Sequence, residues 1–314
     1  MDEFNPVDMS VWQGRQDPED GELALRWHDK VQPWPQAGRT APGVALVGFA
    51  CDEGVRRNKG RVGAAGAPLA VRKLLANSAW HLGRPVYDCG DVNCEDGDLD
   101  AAHGRLAERV ARLLDEGHFP LVLGGGHEVA FGSWSGLNLH LAGRGRVGII
   151  NFDAHFDLRM KLEQASSGTP FFQIAEQCAA QGTPFTYACL GVAETANTQA
   201  LFARAEALGV WHVLDEAMTP AELPVLLRGL DAFIARCDHL YLTIDLDVLP
   251  AAVMPGVSAP AARGVELAVI EPLIAHIRAS GKLRLADLAE YNPSLDQDNR
   301  SARVAARLIH QLTK

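Results

Sequence analysis

The feature that most restricts how this chain can fold is a series of short apolar runs that do not alternate with polar residues. They lie at Val44–Phe49, Val86–Asp88, Pro120–Leu123, Val147–Phe152, Thr186–Leu190, Val210–Val213, Leu240–Ile244 and Arg284–Ala286. A strand with one wet face alternates, whereas a strand covered on both faces reads as a continuous apolar stretch. Helical segments separate the runs, among them Pro68–Ala79, Leu99–Glu116, Asn197–Leu208, Leu223–Cys237, Val265–Ser280 and Ser301–Leu312. Gly209 and Gly281 fall where a left-handed residue should end a helix. Eight strands alternating with helices predict a single α/β domain built on an eight-stranded, mainly parallel, doubly wound sheet with helices on both faces. With 47 % hydrophobic residues in 314, the chain can bury such a core. Residues 1–42 read differently, rich in Pro, Gln, Asp and Trp with one short amphipathic stretch near Glu22–Val31. They are expected to form an N-terminal extension packing on a catalytic domain over 43–314.

Composition excludes several partners. A formal net charge of −10 argues against nucleic acid and anionic membranes. No charge-free apolar run approaches the roughly 18 residues of a membrane span, and the segment Met1–Pro6 lacks a signal-like apolar core. A cytoplasmic protein with a small-molecule substrate is the expectation. The six cysteines form no Cys-x-x-Cys pair, which predicts buried reduced thiols rather than a zinc knuckle.

In doubly wound sheets ligands gather beyond the carboxyl ends of the strands, and three strand ends here carry an unusual load. Leu121–Leu123 runs into Gly124-Gly125-Gly126-His127-Glu128, Gly148–Phe152 into Asp153-Ala154-His155-Phe156-Asp157, and Tyr241–Ile244 into Asp245-Leu246-Asp247. On a strand, residues i and i+2 share a face, so Asp153, His155 and Asp157 should point one way, as should Asp245 and Asp247. That many carboxylates and imidazoles on one side need cations. Four aspartates and two histidines without a thiolate suit Mn²⁺, two ions to a subunit. The junction Gly48–Gly54 is not a dinucleotide fingerprint, and no phosphate-binding Gly-x-x-x-x-Gly-Lys-Ser/Thr loop occurs.

These segments resemble the signatures of the ureohydrolase family of arginases, agmatinases and formimidoylglutamases, over roughly residues 44–314. The resemblance implies an arginase-like fold. It implies one manganese on His127, Asp153, Asp157 and Asp245 and a second on Asp153, His155, Asp245 and Asp247, with Asp153 and Asp245 bridging. Asp287-Leu288-Ala289-Glu290-Tyr291-Asn292-Pro293 is a fourth match, in which Glu290 would pair with the amidinium of the substrate. A homo-oligomer, trimer or hexamer, is implied by the family alone.

Gly48–Arg61, Phe156–Arg159, Ser167–Phe171 and Pro255–Pro260 resemble the formimidoylglutamase branch. That branch implies conversion of N-formimidoyl-L-glutamate and water to glutamate and formamide, in histidine degradation, by attack of a hydroxide bridging the two manganese ions. Glu290 would orient the formimino group, and Asp157 would move the proton. One departure stands out, since the loop after Ser167-Gly168 lacks the histidine that arginases carry there. The substrate is a dianion, and Arg159, Arg57 and Arg61 are the expected anchors, with Asn58 and Ser167 beside them. Guanidinobutyrase or agmatinase activity is the alternative within the family. Outside it stand a catalytically silent metal-binding regulatory protein on the same fold and a two-metal phosphatase.

Overall fold

The computed structural model describes residues 8–35, 40–94 and 96–314; the expectation drawn from Met1–Pro6 lies outside them. The strands are β1 Val31–Pro33, β2 Val44–Ala50, β3 Val86–Asn93, β4 Phe119–Leu123, β5 Val147–Phe152, β6 Tyr187–Val192, β7 Trp211–Leu214, β8 His239–Asp245 and β9 Leu283–Ala289. They form one sheet in the order β1-β3-β2-β4-β9-β8-β5-β6-β7. Every neighbouring pair is parallel. Among the described residues the sheet therefore has nine strands where eight were expected. The ninth, β1, pairs Val31 with Val86 at one edge. It is three residues long and ends in a proline, which suits only an edge position, so it left no apolar run to read.

Alternate side chains feed two cores. Val44 and Leu46 join one cluster with the helices Ala67–Ala76, Leu223–Ile234, Leu267–Ala279 and Arg300–Thr313. Ala45, Val47 and Phe49 join the other, with the helices Leu99–Asp115, Val129–Leu141, Pro170–Gln181 and Gln199–Ala207. Helices cover both faces, which is why the strands lack polar alternation. Gly209 and Gly281 both take positive φ just beyond their helices, as expected. β3 runs on to Asn93 because the register slips between Leu46/Asp88 and Gly48/Asp91, with Gly90 at φ 70°. The stretch near Glu22–Val31 is a 3-10 segment over Pro18–Ala24 and one helical turn at Trp27–Lys30, followed by β1. Five cysteines are buried, Cys94 is half-buried, and none forms a disulfide.

Trp12 is buried and donates from Nε1 to Asp88 Oδ2 at 2.7 Å. Arg72, also buried, donates to Asp88 at 2.9 Å and to Asp91 at 2.6 Å. Removing one partner of a buried pair leaves the other charge uncompensated. Arg72→Met is expected to lower unfolding stability by about 3–5 kcal/mol, read as a fall in thermal midpoint. Asp88→Asn should cost less, because Asp91 still compensates the buried Arg72 guanidinium.

Candidate metal centre and substrate cavity

Four adjacent central strands, β4-β9-β8-β5, carry the four motifs at their carboxyl ends. The chain builds β2, β3 and β4 on one side, crosses to β5, β6 and β7, and returns through β8 and β9. The crevice lies where that winding reverses, the position at which such sheets hold ligands.

After β4 the chain turns through Gly124–Gly126. A Cβ on Gly125 would lie 1.6 Å from the Cys51 carbonyl oxygen, so only glycine fits. The turn delivers His127, fully buried, whose backbone N–H donates to Glu290 Oε1 at 2.9 Å. His127 Nε2 meets Thr243 Oγ1 at 3.0 Å, which fixes the ring and leaves Nδ1 facing the crevice.

The convergence of the aspartates does not come from strand pleating, contrary to expectation. β5 ends at Phe152, so Asp153, His155 and Asp157 all lie on the following loop, with Asp157 at φ 47°. Asn197 holds this loop. Its Oδ1 accepts from Phe156 N at 3.0 Å, and its Nδ2 donates to Ala154 O and Ala193 O at 2.9 Å each. Beneath it, Asn151 Nδ2 donates to Asp153 Oδ2 at 2.9 Å and Tyr187 Oη donates to Phe156 O at 3.1 Å. Likewise Asp247 sits in the 3-10 turn Leu246–Val248, capped by Asp245, whose Oδ1 accepts from Asp247 N.

The result is two groups of side chains whose ligand atoms lie within 4.8 Å of one another: His127, Asp153, Asp157 and Asp245, and Asp153, His155 and Asp247. Asp153 belongs to both, whereas Asp245, expected to bridge, falls in the first alone. His127 Nδ1 lies 3.1 Å from Asp153, 2.9 Å from Asp157 and 3.1 Å from Asp245, yet in hydrogen-bonding direction it has no partner. The distances satisfy an ion pair and the angles do not satisfy a hydrogen bond. The angles are decisive, because an imidazole nitrogen carries at most one proton and cannot serve three carboxylates. Three acidic oxygens around one such atom fit a cation set among them. The donor set is oxygen and imidazole, suited to Mn²⁺. Asp245 is held well above the usual carboxylate range, first by burial and then by the charges of Asp247 and Asp153. Like charges so crowded are what a divalent ion relieves.

Glu290 lies directly after β9, at φ 66°, with its backbone N–H on Gly125 O at 2.8 Å. It is 7 % exposed and lines the crevice. Burial, then the neighbouring charge of Glu128, pushes its carboxyl up to about 8. A buried carboxyl without a cationic partner stays largely protonated near neutral pH and ionises when a ligand brings a cation against it.

The crevice opens into a cavity of about 470 Å³. Arg159, Asn58, Arg61 and Ser167 line it, as does Lys59, while Asp157, His155, Asp245, Asp247 and Glu290 reach it from below. Arg159 is exposed and lies against Gly168, where a Cβ would come within 2.8 Å of its Cδ. Asn58 Nδ2 donates to Ser167 Oγ at 3.2 Å. Arg61 donates to Ser258 O and Val257 O, which pins the neighbouring loop. Arg57 is the exception among the expected anchors and does not line the cavity. Its guanidinium is taken by Glu53, one helical turn back, and by the Ala165 and Gly97 carbonyls. Asn197 and Thr243 were missed. Thr243 lies within β8, two residues before its end, and Asn197 follows the 3-10 turn Glu194–Ala196 beyond β6, so both belong to the carboxyl-end region where ligands gather.

The Arginase family model matches residues 42–314. The chain is 97 % identical to the formimidoylglutamase of Aeromonas hydrophila over 314 residues, the full length of both. It is 85 % identical to that of Aeromonas salmonicida, again over the full length of both. With the formimidoylglutamase of Chromobacterium violaceum identity is 58 % over 308 residues, 98 % of each chain. The crystal structure of formimidoylglutamase from Bacillus subtilis shares the fold, with a TM-score of 0.83, 23 % identity and coverage of 96 % of this chain and 93 % of that one. That of Trypanosoma cruzi formiminoglutamase with Mn²⁺ aligns with a TM-score of 0.77 at 26 % identity, covering 87 % of this chain and 92 % of that one. With the motifs assembled on four adjacent strands and a family match over almost the entire chain, this protein belongs to the Arginase family.

Proposed function

We propose that this chain hydrolyses N-formimidoyl-L-glutamate to glutamate and formamide. The observation that carries the reading is one cavity with a carboxylate–imidazole floor, a buried unpaired carboxylate at Glu290 and a guanidinium at the rim, Arg159. The formimidoylglutamases that match along the whole chain support it. His127, Asp153, Asp157 and Asp245 would hold one Mn²⁺ and Asp153, His155, Asp245 and Asp247 the other. When bound, two such ions lower the pKa of a water between them, so that a nucleophile exists near neutral pH.

The chain's own residues do the rest. Glu290 takes the positively charged formimino group in a charge-assisted pair and orients its carbon toward the floor. Asp157, which reaches the cavity, would pass a proton to the departing glutamate nitrogen. Arg159, with Asn58, Ser167 and Arg61 around it, takes the carboxylates in an otherwise acidic protein. A site for agmatine, a dication, would not set guanidinium groups at its mouth. Residues 43–314 make up the catalytic unit in this reading, and residues 1–42 an extension packed on it. No helix among the described residues is long and apolar enough to cross a membrane. We read the protein as a cytoplasmic homo-oligomer, trimeric or hexameric, which light scattering would test.

Arg159→Ala is the test of the anchor. It is expected to raise KM for formimidoylglutamate about 10- to 100-fold, the loss of one charge-assisted pair, with metal content unchanged. Arg159→Lys should recover only part, since a point charge lacks the planar fork. An unchanged KM in Arg159→Ala would assign the carboxylates to Arg61 or Lys59 instead.

A further inference from the structure

The opposite end of the sheet carries a second cavity, of about 600 Å³, at the amino ends of β4, β8 and β9. From His239 to Asp245, β8 spans six residue steps, so this cavity lies about 20 Å from the metal floor. In a chain with a net charge of −10, its lining among the described residues includes three arginines, Arg84, Arg144 and Arg284, and no carboxylate.

Elsewhere in the chain, Arg26, Arg57, Arg72 and Arg307 are each paired with an aspartate or glutamate. Among the described residues these three have no such partner. Each is instead held by a neutral acceptor. Arg84 donates from Nε and Nη2 to Thr313 O at 3.3 and 3.1 Å, and its guanidinium lies 5.7 Å from the Phe119 ring centre. Arg144 donates to Leu141 O and His140 O at 2.9 and 2.8 Å. Arg284 donates from Nε to His239 Nδ1 at 3.4 Å.

The carbonyls belong to helix ends, where a basic side chain is favourable in its own right. They fix the guanidiniums and spend at most two of five donors on each. The Nη1 groups of Arg84 and Arg144 and both Nη groups of Arg284 keep donors to spare. Of the nearby acids, Asp115 meets His140 Nδ1 at 2.6 Å and Asp238 accepts from Arg146 N at 2.8 Å, and neither lines the cavity. Burial, then the charge of Arg284, holds His239 below its ordinary range, with the charge of Asp238 opposing the shift.

We propose that this cavity is a second ligand site, for a small molecule that presents an oxyanion, phosphate or dicarboxylate, to Arg84, Arg144 and Arg284. Its volume falls in the range of sites for small ligands, roughly 300–1,000 Å³. Leu114, Leu141 and Phe119 offer an apolar wall for the rest of such a molecule. Guanidinium forks already held in place lose little freedom on closing over a planar or tetrahedral anion.

Calorimetric titration of the Mn²⁺-loaded protein with inorganic phosphate, and separately with succinate, tests this against chloride at equal ionic strength. Saturable binding of at least one probe is expected, weakened about tenfold or more by Arg144→Ala and by Arg284→Ala. Arg159→Ala, at the far end, should leave that component intact, which separates this site from the substrate cavity. The better-bound probe identifies the oxyanion class. Arg284 is exposed on an edge of the cavity, so its variant should fold and hydrolyse substrate normally even if Arg144→Ala does not. Absence of saturable binding for both probes, or binding that survives the Arg284→Ala change, would overturn the proposal.

Discussion

Asp153→Asn is expected to leave the purified protein with little bound manganese and almost no turnover. Asp153 is the one residue common to both ligand groups, and it is fully buried on a loop held by Asn151 and Asn197. Asparagine keeps the shape but removes the charge that two cations would share, and its single amide oxygen can accept from only one of Asn151 Nδ2 and His155 N. Metal-based stabilisation of the transition state is worth several kcal/mol, so a fall on the order of a thousandfold or more should follow. Elemental analysis should show the loss of metal directly. A variant holding two Mn²⁺ per chain would remove Asp153 from the centre. Asp245→Asn separates the two accounts of bridging: loss of both ions fits a bridge, loss of one fits its place in the first group alone.

Glu290→Gln should act differently, cutting turnover while the metal stays. The glutamine oxygen can still accept the His127 N–H that Glu290 Oε1 accepts at 2.9 Å, so the turn that presents His127 should survive. What disappears is the charge that pairs with the formimino group. A charge-assisted contact contributes about 1.5–3 kcal/mol, on the order of 10- to 100-fold. Turnover and metal content measured on the same sample decide the point, and loss of metal instead would make Glu290 a structural support of the centre.

The contrast between these two residues mirrors what could be read from the chain. The candidate ligands were legible because their chemistry is unusual for strand ends, where a lone carboxylate is ordinary and a cluster is not. Their geometry was not legible. Alternation along a strand was the expected cause of convergence, yet Asp153, His155 and Asp157 sit beyond β5, shaped by Asn197 some forty residues later in the chain. Nor does local sequence tell that β9 slots between β4 and β8, which sets Glu290 beside His127. Long crossovers between parallel strands carry no short-range signal of the order they produce. Arg57 was misplaced for a similar reason. Glu53 lies one turn before it on the Glu53–Arg57 helix and claims its guanidinium, a competition that charge counting overlooks.

The central claim is the substrate, and one comparison tests it most directly. Mn²⁺-loaded protein should be assayed in parallel with formimidoylglutamate, arginine, agmatine and 4-guanidinobutyrate, with each product identified. The expected result is release of glutamate and formamide, with kcat/KM for formimidoylglutamate exceeding that for agmatine by about 10- to 100-fold or more, the discrimination available from one charge-assisted carboxylate contact made or lost. Faster hydrolysis of agmatine or 4-guanidinobutyrate than of formimidoylglutamate would contradict the account.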